Sequence, residues 1–223
     1  MQWVLAVRSR SCGLADDDGR RAVDFARGGC TAQEPQADKW GLLKRVQVCR
    51  MPTMTATEAL LDSWNRQARI IDNLAGLVTP ELLEAKADPN GWTIAFHFAH
   101  IHSTRRSWHM NAAGLEAPVG PSLYTVMGDG ERMEDYVPSH DVAEIRLRLS
   151  ESAALVHDWT AEQIALGTQQ AGNYDHPVLY MQHMLWHEGW HAGIIVLALR
   201  LAGIEPTDEE ECAMIWDLWR LPG

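Results

Sequence analysis

From residue 55 onward, apolar residues recur at helical spacing in four long stretches. In the first, Leu60, Trp64, Ile71, Leu74 and Val78 fall three, four or seven residues apart. That period keeps one stripe of a helix apolar. Thr55 with Glu58 makes a capping box, so the pattern predicts a helix from Thr55 to about Leu77, ended by Thr79-Pro80. The second stretch opens at Thr93 as N-cap, carries Ile94, Ile101, Trp108 and Ala112 as its inward stripe, and closes at Gly114. The third begins after a Ser139 cap and carries Val142, Ile145, Leu149, Val156 and Trp159. The fourth starts at Pro177, a residue suited to the first helical position, and runs to Gly203. A further capping box, Thr207 with Glu210, opens a short last helix with Met214, Ile215, Leu218 and Trp219. No stretch alternates with the period of two that a half-buried strand requires.

The breaks between these stretches set the architecture. Pro89-Asn90-Gly91 is a turn signal. Residues 115–138 form a long link carrying Pro118, Gly120, Pro121, Gly128 and Gly130, expected to cross over the body or to border a site. One such crossover lets the second and third helices of a bundle run in the same direction. The predicted fold is all-α: a four-helix bundle with an extra C-terminal helix.

Residues 1–53 differ from the rest. No apolar period persists there, and nine of the 19 Lys and Arg face six of the 30 Asp and Glu, a charge of +3. The predicted division is therefore 1–53 as an N-terminal extension and 54–223 as the helical domain. The extension reads as a disordered tail, or as non-native text upstream of a true start at Met51 or Met54, with a functional arm as the third choice. The domain holds ten basic against 24 acidic residues, a charge of −14. That balance argues against a general nucleic-acid binder, which needs Lys and Arg against phosphates. No apolar run reaches the ~18 residues of a membrane span. Cys12, Cys30, Cys49 and Cys212 show no paired CxxC spacing, so reduced cysteines and a cytoplasmic location are expected.

Candidate chemistry sits on the second and fourth helices, which hold seven of the ten histidines. His183, His187 and His191 recur every fourth residue, and His97, His100, His102 and His109 lie on the other helix. Two imidazoles one turn apart can hold one divalent ion, and three ligands with an open position is the pattern of a catalytic metal. His183/His187 and His187/His191 are equally well spaced, and His97 and His100 both flank the inward stripe. His187 belongs to either pair. His102, His109, His140, His157 and His176 read as surface or core-edge residues.

Two motifs carry a resemblance. Trp92-Thr93 opens a helix with His100 eight residues after the tryptophan, and His187-Glu188-Gly189-Trp190-His191 precedes Arg200 and Gly203. In these the chain resembles the DinB-like (DinB/YfiT) superfamily of metalloenzymes over about residues 55–220. The resemblance implies a bundle with an up-down-down-up path, often a homodimer, and a metal triad of His100, His187 and His191. It also implies a divalent ion such as zinc, nickel, manganese or iron, and a low-molecular-weight thiol that the metal activates for transfer to an electrophile. Ala192, Gly193 and Ile194 stand where the family often has Arg-Gly-Gln, and Ser103 where it often has an acid. These departures concern the surroundings of the three ligands.

Two alternatives compete: a non-catalytic metal-binding stress-response module, and an HExxH zinc protease. Residues 187–191 satisfy HExxH literally, with Glu188 as the candidate general base. No strand precedes the helix to lay out a peptide, so Glu188 is expected as an exposed carboxylate or one placed just behind the ligands. Trp92, Trp108, Trp186 and Trp190 flank the histidines; their spacing reads as core, with Trp190 able to wall a pocket.

Overall fold

The computed structural model of the protein describes residues 54–220. The expectations for residues 1–53 lie outside the described residues. Helix α1 spans Ala56–Gly76, and both halves of the Thr55/Glu58 capping box are made. Helix α2 spans Ile94–Ala113; the Thr93 hydroxyl accepts from Phe96 N, and Gly114 ends it at φ 66°. Helix α3 spans Val142–Ala165 and α4 spans Pro177–Leu201. Helix α5, Asp208–Glu211, starts from the Thr207/Glu210 capping box and runs on through a π turn and a 3-10 turn to Trp219.

One cap differs from the sequence expectation. Asp141, not Ser139, caps α3: its carboxylate accepts from the amides of Ala143 and Glu144. Ser139 donates instead to the Glu144 side chain. At α4 the cap is His176, whose Nδ1 accepts from Val178 N at 3.1 Å. Pro177 then needs no acceptor for the amide proton it lacks.

Cross-helix contacts fix the path of the chain. Trp64 and Asp72 of α1 meet Ala153 and Arg146 of α3, so these two helices are antiparallel. His97 and Trp108 of α2 meet His191 and His183 of α4, again antiparallel. His102 and His109 of α2 meet Arg148 and Trp159 of α3, so α2 and α3 run in the same direction. The result is an up-down-down-up bundle, with residues 115–138 as the crossover.

That crossover is not wholly irregular. Strands β1 (Tyr124–Val126) and β2 (Tyr136–Pro138) pair antiparallel, with Thr125 opposite Val137. Three residues each are too few to show alternation in sequence. Leu123 is buried, and the Arg106 guanidinium donates to the carbonyls of Val119 and Gly120, which binds the link to α2.

Ile71, Leu74, Ile94, Phe98, Ile101, Ile145 and Ile195 fill one end of the bundle. Trp64, Val156, Tyr180, Met181 and Met184 fill the other. Between α3 and α4 the chain passes close to α2 at Gly172, whose φ is +57° and whose absent Cβ would lie 2.5 Å from Asn111 O. Gly172→Ala should therefore cost more than about 1 kcal/mol, both from the left-handed backbone and from the clash. Urea unfolding of the variant reads this directly.

Among the described residues no helix is long and apolar enough to cross a membrane.

Candidate metal centre

The antiparallel pairing of α2 and α4 brings His100, His187 and His191 together. One ring nitrogen from each lies within 4.8 Å of the other two. Nε2 of His187 is the hub, 3.2 Å from Nε2 of His100 and 3.1 Å from Nε2 of His191. The His97 Nδ1 lies 2.9 Å from Nδ1 of His191, on the far side of that ring from the hub. His183 is turned away: its Nδ1 meets the Tyr174 hydroxyl at 3.0 Å, and its ring packs 4.5 Å from Trp108. His102 is buried between the carbonyls of Arg148 and Pro121.

These nitrogens fit a cation. A neutral imidazole has one N–H and one lone pair. If the His187 proton sits on Nε2, it can serve only one of its two neighbours. If it sits on Nδ1, that buried N–H has no partner among the described residues. An ion facing three lone pairs removes the conflict at the hub. Nitrogens bound ~2.0–2.1 Å from zinc at tetrahedral angles lie about 3.3–3.4 Å apart, within a few tenths of an ångström of the 3.2 Å and 3.1 Å edges of the triangle.

Burial keeps the imidazoles unprotonated. It lowers the pKa of His187 to about 4 and that of His191 to about 3, with neighbouring histidines adding a smaller push in the same direction. His97 is lowered to about 4, chiefly by burial, and His100 moves the same way. The unfolded chain takes up protons near pH 6.5, whereas the folded site resists them until about pH 4 to 3. Metal-free protein should therefore hold its full stability above pH 6.5 and lose it progressively below, as measured by urea midpoints from pH 8 to pH 4.

Glu188 does not face the histidines as a free base. It is 0% exposed and binds Arg105 through both oxygens, Nε to Oε1 at 2.6 Å and Nη2 to Oε2 at 2.8 Å. The same guanidinium donates to the Leu149 carbonyl and to Ser152 Oγ, and lies 5.2 Å over the Trp64 ring. All four long helices meet at this one group. The expectation of an exposed carboxylate is thus corrected: Glu188 is enclosed and paired with a guanidinium, out of reach of a water in the cleft. Arg105 carries no motif, so nothing in the sequence marked it.

A cleft of about 610 Å³ opens beside the histidines, lined by His97, His191, Trp92, Trp190, Ile194 and Leu197 together with Ala87, Asp88, Asn90 and Gly91. Trp92 lies parallel to His191 at 6.1 Å. Of the two places expected for the long link, it takes the crossover and not the lining of this cleft, to which Asn90 and Gly91 of the turn contribute instead. Nor are the tryptophans all core. Trp186 and Trp190 are 64% and 61% exposed, and Trp190 stands at the cleft wall.

A four-helix bundle with three converging imidazoles beside a small-molecule-sized cleft defines a class of metal-associated, enzyme-like proteins. The sequence model of the DinB superfamily matches residues 59–195, and the chain belongs to that superfamily. No curated protein and no solved structure matches it.

Proposed function

We propose that this protein is a divalent-metal-dependent enzyme that transfers a low-molecular-weight thiol to an electrophile, with His100, His187 and His191 as ligands. The observation that carries this is the convergence of three neutral imidazoles at the edge of an open cleft. A divalent ion held by three ligands lowers the pKa of a bound thiol or water towards ~7 and so supplies a nucleophile at neutral pH. The protein's own part is to position and to exclude water. The Arg105–Glu188 pair ties α2 to α4 and sets their register. Trp92, Trp190, Ile194 and Leu197 offer apolar walls to the body of a ligand. With Glu188 spent on Arg105, the protease alternative lacks its base. The partners in this reading are a small thiol, an electrophile and a second copy of the chain.

Metal content of the purified protein, followed by thiol-transfer assays against a panel of electrophiles, tests the proposal. About one ion per chain with metal-dependent thiol consumption is expected. A bound ion without turnover against any electrophile would favour the non-catalytic metal-binding module. Protein that takes up no divalent ion at all would end the metal reading.

A further inference from the structure

We propose that His97 is a positioning residue for the three-histidine site, accepting the Nδ1–H of His191 and thereby holding the His191 Nε2 lone pair toward His187. This rests on the metal reading above. Spacing along α2 presents His97 and His100 as rival ligands. The structure gives them different roles: His100 meets the hub nitrogen of His187, whereas His97 meets only the back of His191.

The argument is one of proton count. His191 turns Nε2 to the hub at 3.1 Å and Nδ1 to His97 at 2.9 Å. A ligating Nε2 carries no proton, so the single proton of a neutral His191 sits on Nδ1. Nδ1 of His97 must then be the acceptor, which leaves the His97 proton on Nε2. Among the described residues nothing bonds that Nε2, and the His97 ring lines the cleft. His97 therefore does two things at once. It fixes the tautomer and orientation of a ligand, as carbonyls and carboxylates do behind most metal-bound histidines. It also contributes its ring to the lining of the cleft. His97 is 4% exposed and its ring is held 5.5 Å from Trp92, so the contact is built in rather than a chance of a mobile side chain.

The test uses three proteins and zinc, measured by competition against a chromophoric chelator. His97→Phe fills the space without an acceptor and should weaken zinc binding about 10–100-fold. His97→Asn puts a carbonyl oxygen near the place of Nδ1 and should stay within a few-fold of wild type. Circular dichroism of the metal-free variants checks the fold. On zinc-loaded wild type, long-range ¹H–¹⁵N correlation should show His97 as the Nε2–H tautomer and His191 protonated on Nδ1; this holds even if a variant does not fold. Wild-type uptake with His97→Phe unchanged overturns the inference alone. So does an Asn variant as weak as the folded Phe variant, or a His97 that carries its proton on Nδ1. Wild-type protein that takes up no zinc overturns both this inference and the metal reading.

Discussion

Replacing His187 by alanine should abolish stoichiometric metal binding while leaving the bundle folded. His187 is the one histidine whose Nε2 touches both of the others, at 3.2 Å and 3.1 Å. Its removal leaves His100 and His191 facing each other across an empty turn, and two imidazoles rarely hold an ion tightly. The loss should exceed the ~10–100-fold seen when only a ligand's supporting partner is removed. Metal analysis after dialysis and a zinc titration both read it. His187 is only partly buried, and its Nδ1 makes no bond that the fold would miss. His102 supplies the contrast. Its ring sits between two carbonyls, so His102→Ala should cost roughly 1–3 kcal/mol of stability and leave the ion count unchanged. A His187→Ala protein that still binds one ion per chain would remove the hub from the site.

The second large effect is expected at Glu188. Glu188→Ala leaves Arg105 charged, buried and without its anion, a situation that costs about 3–5 kcal/mol. Urea or thermal unfolding should show it at neutral pH. Replacing both partners by apolar residues, Arg105→Met with Glu188→Leu, should recover most of the loss, because a buried pair competes poorly with well-packed hydrocarbon. The contrast with a general base is sharp. Removing a base would kill a reaction and spare the fold, whereas here the fold suffers first. Glu188→Ala within about 1 kcal/mol of wild type would show that the pair is not the clamp that its geometry describes.

Much of the fold was legible because it is written in local signals. Thr55, Thr93 and Thr207 cap where the sequence places caps, and Gly114 ends its helix with the positive φ that glycine allows. The crossover and the shared direction of α2 and α3 followed from one long link. What escaped is non-local. Arg105 reads as one more surface cation until α3 and α4 close over it. Trp186 and Trp190 have core-like spacing, yet α4 is apolar around most of its circumference and only one side is covered. Spacing alone could not say whether His183 or His191 joins His187. The rotation of α4 against α2 decides it, carrying His183 to Tyr174 and His191 to the hub.

The pairing of α2 with α4 has a consequence for how the chain reaches its folded state. His100 and His187 are 87 residues apart, His97 and His191 94, and Arg105 and Glu188 83. Closing a loop of that length costs roughly 4 kcal/mol of chain entropy. A chain emerging from synthesis without α4 lacks His187 and His191, two of the three imidazoles that converge. The histidine site is therefore a product of late, long-range assembly rather than a nucleus for it, and an ion captured there would act as a seal on a chain that has finished folding.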